Sequence, residues 1–459
     1  MVGICFKIAH KYTKINKICF YSLPGIRELM FGTSGIRGIY GKDITPELAL
    51  KVANAFAEHD VCVGRDTRES GVPLAFACMS GVLCAGHDGV GLGIVPTPLV
   101  AFAGMKLRCG GIMVTASHNP AEHNGMKLLR NGKEIGKCEE RKIVEKYGEG
   151  MEYGASPGEV RKENVVPEYI EFAKKIVDGG LIGKKSPKVV VDCNGAGSTV
   201  TPCLLGELGC RVVSLNCGLR GFARGSEPNR ENLEWLSSAV RACGADFGIG
   251  HDGDADRCAI VDEKGELLNA DVQLALMAEM ELGRKKGKVV STVESSLLVK
   301  ESVERAGGEL LITPVGSTYV SDEMERHGAV FGGEPAGEYI YSEGVGVPDG
   351  VLAAAKFAEM FCSGGEFSRL ASKFKPNPMV REKYGTADRK KAMGMVKDEL
   401  GLDGKISDGD GIRVDGEGYW VLVRASGTES IIRLTAEAKT KELLEKVAGI
   451  AREAIKRAV

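Results

Sequence analysis

The sequence predicts an α/β fold: three tandem, similar α/β domains with mixed, largely parallel sheets, followed by a smaller C-terminal α+β domain. Two observations lead to this class. Apolar strand-like runs alternate with helix-length segments three times in the same order, which is typical of layered α/β domains. The chain has 459 residues, enough for several domains at about 150 residues each, and its last part follows a different pattern.

Composition excludes several other classes. Glycine accounts for 62 residues, about twice its usual share of roughly 7%, yet there is no Gly-X-Y period, which excludes collagen-like and low-complexity chains. The 60 basic and 62 acidic residues give a net charge of −2, so we expect neither a nucleic-acid nor a membrane partner. The 14 cysteines form no Cys-x-x-Cys pair and follow no secretory segment, which predicts a cytoplasmic protein.

Each of the three repeated units contains three predicted strands, and its third strand runs into a polar loop. The predicted strands are 61–63, 90–95 and 111–114 in the first unit, 188–191, 211–215 and 246–250 in the second, and 288–293, 309–312 and 329–331 in the third. A turn signal follows each polar loop, at 130–133, 262–265 and 342–344. Because ligands bind beyond the carboxyl ends of parallel strands, the three loops can face one cleft.

The two ends of the chain differ from this repeat. Residues 1–29 are basic and lack periodicity, which suits a targeting peptide or a mis-assigned start; the sharp composition change favours translation from Met30. After a linker at 368–378, we expect a strand at 419–423 and an amphipathic helix from about Lys441.

Three aspartates alternate after the third strand of the second unit: Asp252, Asp254 and Asp256. A turning backbone can converge their carboxylates, and their mutual repulsion predicts a bound cation. Three oxygen ligands with open coordination positions suit Mg²⁺. A calcium-binding EF-hand is excluded because its sixth position requires glycine and is Arg257 here.

A serine follows the third strand of the first unit. Ser117 is flanked by His118, and Lys127 comes shortly after. Near a divalent cation such a serine can carry a phosphoryl group, because the metal neutralises the phosphoryl oxygens and a lysine or histidine moves the proton. No Gly-x-Ser-x-Gly elbow supports acyl transfer. The alternative is an ordinary serine that caps a helix starting near Pro120.

Two further loops carry groups suited to a phosphorylated sugar. Donors cluster in the C-terminal domain, where arginine, hydroxyl and glycine amide groups can form an anion site; they are Arg424, Ser426, Gly427, Thr428 and Arg433. A plain turn with surface arginines is the alternative. In the third unit, the carboxylates of Glu334 and Glu338, in a glycine-rich loop with Ala336, can accept hydrogen bonds from sugar hydroxyls. We interpret 64–68 and 96–98 as structural, with Asp66 pairing with an arginine.

Four separated motifs occur in order: T-A-S-H-N-P, D-G-D-A-D-R, G-G-E-x-x-G and R-x-S-G-T-E. In these motifs, from Phe31 to the C-terminus, the chain resembles the α-D-phosphohexomutase superfamily of phosphoglucomutases, phosphomannomutases and phosphoglucosamine mutases. The resemblance implies four domains around a central cleft. The predicted boundaries are 1–29 for the extension, 30–150 for domain 1, 151–245 for domain 2 with the metal loop 246–258 at its end, 259–368 for domain 3, and 375–459 for domain 4.

The resemblance also implies a reaction. Ser117 would be the phosphoserine and, with the three aspartates, a ligand of one Mg²⁺ per chain. Its phosphoryl group would pass to a hexose phosphate, giving a hexose 1,6-bisphosphate that also serves as activator, and the other phosphate would return to Ser117. The loop 424–428 would hold the phosphate that is not reacting, and Arg257 would spread charge at the transferring group.

The same motifs suggest residues for proton transfer and for the choice of sugar. Arg37, His118 and Lys127 are candidates for proton transfer or electrostatic support, with Lys127 the first choice as base, through a pKa depressed by neighbouring cations. Many relatives carry E-x-S-G-H in the sugar loop, whereas this chain ends the motif in Glu338. We hypothesise that Glu338 pairs with a 2-ammonium group, which would favour glucosamine phosphate over mannose and glucose phosphates. Ser430 stands where proline is common, a departure we expect to be harmless.

Two rival functions remain open from sequence. A metal-dependent phosphatase would use Asp252 as nucleophile in place of Ser117. A non-enzymatic sugar-phosphate binder would keep the Arg424 loop and need no metal. A phosphosugar partner is common to both and to the mutase, and we expect a monomer or a homodimer.

Overall fold

The computed structural model describes residues 31–32, 34–426 and 430–459. The predicted extension 1–29 and the predicted phosphate donors Gly427 and Thr428 lie outside the described residues. Every helix in the described part is too short or too polar to cross a membrane.

The first domain is built on a seven-stranded sheet with the order β1-β5-β4-β2-β3-β7 and β6 beside β5. The strands are β1 Ile36–Ile39, β2 Val61–Arg65, β3 Gly89–Ile94, β4 Gly110–Val114, β5 His123–Arg130, β6 Lys133–Glu134 and β7 Val160–Lys162. The pairs β2–β3, β2–β4 and β3–β7 are parallel, whereas β5 runs antiparallel to both β4 and β1.

The second and third sheets repeat the central part of the first. Their strands are β8 Lys188–Asp192, β9 Arg211–Leu215, β10 Phe247–His251 and β11 Cys258–Val261, then β12 Lys288–Thr292, β13 Glu309–Thr313, β14 Phe331–Glu334 and β15 Glu338–Tyr341. The orders β9-β8-β10-β11 and β13-β12-β14-β15 match β3-β2-β4-β5, with the last pair antiparallel each time. The predicted threefold repeat and its turn after each polar loop are confirmed.

Helices cover the sheets. They are α1 Pro46–Phe56, α2 Gly71–Cys84, α3 Thr97–Leu107, α4 Lys137–Glu149, α5 Val166–Lys174, α6 Gly179–Lys185, α7 Thr201–Glu207, α8 Glu234–Cys243, α9 Ala270–Arg284, α10 Leu297–Arg305, α11 Ser317–His327, α12 Gly350–Gly364, α13 Phe367–Ala371, α14 Arg389–Glu399 and α15 Lys441–Ala458, with a short 3₁₀ helix at Ala196–Thr199. Because both faces are covered, strands such as β8 are nearly continuous apolar runs. One large core cluster joins the first three domains.

The C-terminal domain has a different, fully antiparallel sheet. Its strands are β16 Met379–Gly385, β17 Lys405–Ser407, β18 Ile412–Gly416, β19 Tyr419–Ala425 and β20 Ile431–Ala438, in the order β16-β20-β19-β18-β17. The predicted amphipathic helix is α15, which begins at Lys441 after the cap Thr440. The buried carboxylate of Glu437 fixes this domain to the third one, because it accepts hydrogen bonds from Trp420 Nε1 and Ser296 Oγ, both at 2.6 Å.

Sheet pairing moves two predicted boundaries. Strand β7 lies beyond residue 150, yet it pairs with β3 and so belongs to the first sheet. Strand β11 crosses the predicted start of domain 3 at 259, but it pairs with β10 of the second sheet. The predicted strand 329–331 is also shifted, to 331–334, and the predicted linker 368–378 begins inside the helix Phe367–Ala371.

Candidate active site

Two polar loops from different domains meet beyond the carboxyl ends of β4 and β10. Ser117 follows β4, and Asp252 follows β10. The Ser117 hydroxyl donates a hydrogen bond of 2.8 Å to Asp252 Oδ2, and both side chains are buried. The structure therefore brings the predicted serine and the predicted aspartates together.

Ser117 sits in an unusual backbone conformation. Its φ is +48°, in the left-handed region that a residue with a Cβ rarely adopts. The next helix is α4, so Ser117 caps no helix near Pro120. The Ser117 amide donates to Thr115 Oγ1 at 2.8 Å, and the Ser117 carbonyl accepts from Arg68 Nη2 at 2.8 Å. The surrounding structure thus holds the strained residue in place.

Arg68 is the centre of the support beneath this loop, which sequence reasoning treated as generally structural. Its guanidinium is fully buried and pairs with Asp66 at 2.9 Å, as predicted for that aspartate. It also donates to four carbonyl oxygens of the serine loop, those of Ser117, Asn119, Pro120 and His123. One side chain therefore satisfies most of the carbonyl groups of the turn that presents Ser117.

We expect Arg68→Ala to lower the free energy of unfolding of this region by about 3–5 kcal/mol, because it leaves Asp66 as an uncompensated buried charge. Urea unfolding monitored with and without the substitution measures the change. The control is Arg220→Ala, which removes an exposed ion pair with Glu69 and should leave the unfolding midpoint unchanged. Equal effects of the two substitutions would contradict this role for Arg68.

The three predicted metal ligands converge as expected. One carboxylate oxygen from each of Asp252, Asp254 and Asp256 lies within 4.8 Å of the others, and all three side chains are buried. Burial and the two neighbouring carboxylates raise the pKa of Asp252 well above its usual value. Asp254 Oδ1 and Asp256 Oδ1 are buried without a hydrogen-bond partner among the described residues. Three converging carboxylates, two of which keep a buried oxygen without a donor, suit a hard divalent cation.

Lys127 departs from its predicted state. Its ammonium group lies 2.8 Å from Asp254 Oδ2 and also contacts Asp256 Oδ2. Burial by itself would lower the pKa of Lys127, but Asp254, Asp256 and Glu134 more than offset burial and raise it. The prediction of a depressed pKa was therefore wrong, because it considered the neighbouring cations and not the carboxylates.

His118 and Arg37 complete this side of the site. His118 Nδ1 lies 3.4 Å from Ser117 Oγ. Burial and the nearby Arg257 and Arg37 lower the pKa of His118 to about 2. Arg37, on β1, donates to Ser34 Oγ at 3.1 Å, and its buried Nε has no hydrogen-bond partner in the described part of the chain.

The sugar loop forms a hairpin rather than an irregular loop. Glu334 ends β14, Glu338 begins β15, and Ala336 is exposed at the tip between them. Arg257 Nη2 pairs with Glu338 Oε1 at 2.8 Å, and the backbones of these two residues form an isolated β-bridge. Burial and Glu338 raise the pKa of Glu334 well above its usual value. The sugar loop is therefore joined directly to the metal loop.

The described part of the predicted phosphate loop lies on the C-terminal sheet. Arg424 is on β19, Arg433 is opposite it on β20, and the buried Ser426 follows β19. Arg424 pairs with Asp410 at 2.8 Å and with Glu294 of the third domain at 3.4 Å. Glu294 is close enough to Glu334 to contribute to its raised pKa. Arg424 thus connects the C-terminal domain to the third domain through Glu294.

Thr97 is a site residue that sequence reasoning missed. It is the first residue of α3, and its hydroxyl donates to Asp254 Oδ2 at 2.5 Å. Its amide also donates to the Asp254 carbonyl at 3.0 Å. From sequence we interpret 96–98 as structural, because the segment's only signal is a polar residue between two prolines.

Comparison with a solved structure defines the class of this protein. A phosphoglucomutase/phosphomannomutase family protein from Burkholderia thailandensis superposes with a TM-score of 0.85 at 27% identity, over 94% of this chain and 98% of that one. The arrangement of three α/β domains and a C-terminal domain is therefore that of the phosphohexomutases.

Family models and relatives give the family itself. Residues 28–154, 167–265 and 269–376 match α/β/α domains I, II and III of phosphoglucomutase/phosphomannomutase, and 378–454 match its C-terminal domain. A probable phosphoglucosamine mutase of Methanosarcina acetivorans is 41% identical over 441 residues, covering 93% of this chain and all of that one. A phosphoglucomutase/phosphomannomutase of Thermococcus kodakarensis is 40% identical, covering 90% and 95% of the two chains. The chain belongs to the phosphoglucomutase/phosphomannomutase family and is a hexose phosphate mutase.

Proposed function

We propose that this protein interconverts hexose 6-phosphate and hexose 1-phosphate through a phosphorylated Ser117, with glucosamine phosphate as its preferred sugar. The observation that carries the proposal is the 2.8 Å contact between Ser117 Oγ and Asp252, one of three converging carboxylates. A buried hydroxyl at a cation site suits phosphoryl transfer better than any other use of these groups.

The cofactor is Mg²⁺, one per chain. Asp252, Asp254, Asp256 and Ser117 Oγ would hold it, and the two unpartnered aspartate oxygens support this choice. When bound, the ion supplies positive charge that neutralises the oxygens of the transferring phosphoryl group. The guanidinium of Arg257, close enough to Asp252 and Asp256 to interact with both, would add to that charge.

The transfer exchanges one phosphorus–oxygen bond for another. The bond between phosphorus and Ser117 Oγ breaks while a bond forms to a hydroxyl of the hexose phosphate, which loses its proton. The neutral imidazole of His118, 3.4 Å from Ser117 Oγ, is the proposed group for moving that proton, and Arg37 and the protonated Lys127 support the negative charge. The product is a hexose 1,6-bisphosphate, which turns over and returns its other phosphate to Ser117; the same bisphosphate serves as activator.

A second anion site must hold the phosphate that does not react. We assign it to Arg424, Ser426, Gly427, Thr428 and Arg433. Its support is the ion pair between Arg424 and Glu294, which belongs to the domain that carries the sugar hairpin. An arginine fork in that place can bind a phosphate by two parallel hydrogen bonds.

The sugar preference rests on charge. The carboxylates of Glu294 and Glu338 both act on Glu334 of the hairpin, and two arginines lie among these three carboxylates, Arg257 beside Glu338 and Arg424 beside Glu294. An excess of carboxylates suits the 2-ammonium group of glucosamine phosphate. The name of the Methanosarcina relative points the same way. The name of the Thermococcus relative supports the second candidate, a phosphoglucomutase/phosphomannomutase of the same mechanism.

Glu338→Gln should lower the preference for glucosamine phosphate over glucose phosphate about tenfold or more, because a hydrogen bond to a charged group contributes about 1.5–3 kcal/mol. The measurement is the ratio of kcat/KM for the two sugars in a coupled assay. Because Glu338→Gln also weakens the ion pair with Arg257, any resulting loss of activity that is common to both sugars cancels in this ratio. Glu343→Gln, in the turn after β15, is the control. Equal turnover of glucosamine, mannose and glucose phosphates, unchanged by Glu338→Gln, would rule out this preference.

We also propose that the protein works in the cytoplasm as a monomer or homodimer on a phosphosugar. The balanced net charge of −2 supports a small partner.

A further inference from the structure

A buried serine of the second domain touches the backbone of both catalytic loops. Ser226 is 3% exposed and follows β9 in a long connection to α8. Its hydroxyl donates to the carbonyl oxygen of Ser117 at 2.7 Å and accepts from the amide of Gly253 at 3.0 Å. Gly253 lies between two of the proposed metal ligands.

Gly253 is packed so closely that a side chain would not fit there. A Cβ on Gly253 would lie 2.9 Å from Ser226 Oγ and 3.0 Å from the Ser117 carbonyl oxygen. The three backbone segments are therefore packed directly against one another, and Ser226 supplies the hydrogen bonds between them.

The segment that carries Ser226 is itself held firmly. The side-chain oxygen of Asn194 accepts hydrogen bonds from the amides of Ala223 and Arg224, at 2.9 and 3.1 Å. Arg224 pairs with the buried Asp192 at 2.9 Å and donates to the His251 carbonyl at 2.7 Å. These contacts hold the segment that carries Ser226 at the carboxyl end of β8.

We infer that Ser226 is a positioning residue, which sets the distance between the phosphoserine loop and the metal loop by bridging the Ser117 carbonyl to the Gly253 amide. The inference rests on the proposed function of those loops. Ser226 does not touch the reacting atoms; it acts through the left-handed backbone of Ser117, whose carbonyl otherwise depends on Arg68 alone among the described donors.

Ser226→Ala removes both hydrogen bonds and leaves the backbone groups in place. We expect kcat to fall about 10- to 100-fold, because a small misplacement of the reacting groups lowers the rate of phosphoryl transfer strongly. The KM for the sugar phosphate should change less than twofold, because the proposed sugar-binding residues belong to other domains. Ser321→Ala is the matched control, since Ser321 Oγ donates to the Gly346 carbonyl at 2.8 Å and is also buried. It should match the thermal midpoint of Ser226→Ala and keep wild-type kcat.

Hydrogen exchange of the intact protein provides a readout that needs no substrate. In Ser226→Ala, the peptides that contain Gly253 and Ser117 should exchange faster than in the wild type, with the rest of the second domain unchanged. Wild-type kcat in Ser226→Ala, an equal loss of kcat in Ser321→Ala, or unchanged exchange at Gly253 would each overturn the inference. A wild-type protein that turns over no hexose phosphate would instead reject the proposed function, and the exchange result would still decide the role of Ser226.

Discussion

Ser117→Ala is expected to lower mutase turnover by at least about a thousandfold, as does loss of the nucleophile in other enzymes that form covalent intermediates. In the proposed mechanism this hydroxyl receives and returns the phosphoryl group, and it lies 2.8 Å from Asp252. The measurement is a coupled assay with hexose 1-phosphate and a trace of hexose 1,6-bisphosphate. The same variant should take up no phosphate from the bisphosphate.

The control for this substitution is Ser80→Ala in the same domain. Ser80 is exposed, and its hydroxyl donates to the Phe76 carbonyl within α2. It should keep wild-type turnover. Residual activity in Ser117→Ala above about one tenth of the wild type would show that another group carries the phosphate.

Asp252→Asn is expected to lower turnover by at least about a hundredfold, because the proposed Mg²⁺ site loses a charged ligand and with it the cation that would neutralise the phosphoryl group. A second readout is thermal unfolding with and without Mg²⁺. A ligand at 100 times its Kd stabilises the folded state by about 2.7 kcal/mol, so Mg²⁺ should raise the unfolding midpoint of the wild type and leave that of the variant unchanged.

In the absence of metal, Asp252→Asn should not lower the thermal unfolding midpoint. Asp252, Asp254 and Asp256 are buried together, and replacing one carboxylate with a neutral amide relieves repulsion. The midpoint of metal-free Asp252→Asn should therefore be no lower than that of the metal-free wild type. Asp398→Asn, on an exposed face of α14, is the control. Equal stabilisation of wild type and Asp252→Asn by Mg²⁺ would contradict the assignment of this ligand.

The parts that sequence could predict are those encoded by local patterns. Apolar runs in β8 and β12 and the turns after each polar loop mark the repeat, since hydrophobic periodicity and turn residues act within a few positions. The convergence of Asp252, Asp254 and Asp256 follows from their alternation. The rule that ligands gather beyond the carboxyl ends of strands predicts that the loops of Ser117 and the aspartates face one cleft, and the resemblance to the phosphohexomutases places Ser117 beside the aspartates.

The parts that sequence could not predict depend on contacts between distant segments. Thr97 reaches Asp254 across 157 positions, and Ser226 reaches Ser117 across 109. No local pattern distinguishes these polar residues from those of ordinary turns. The boundary at 259 fell inside β11 for a similar reason, because strand membership is decided by pairing with β10.

The charge state and the ion pairs of the site residues also depend on contacts between distant segments. Sequence places Lys127 near cationic residues, but its pKa is decided by Asp254 and Asp256, which come from another domain. Glu338 likewise faces Arg257 at 2.8 Å, so its carboxylate is already paired before any sugar amine approaches. Any contact between Glu338 and a 2-ammonium group must therefore share the carboxylate with Arg257.

The central claim is that Ser117, rather than Asp252, carries the phosphoryl group. The most direct measurement is peptide mass spectrometry of the protein after incubation with Mg²⁺ and glucose 1,6-bisphosphate, with and without hydroxylamine, which cleaves acyl phosphates but not serine phosphates. We predict one phosphoryl group on the peptide that contains Ser117, stable to hydroxylamine and absent from Ser117→Ala. A hydroxylamine-sensitive phosphate on the Asp252 peptide, or no phosphate on either peptide, would contradict this account.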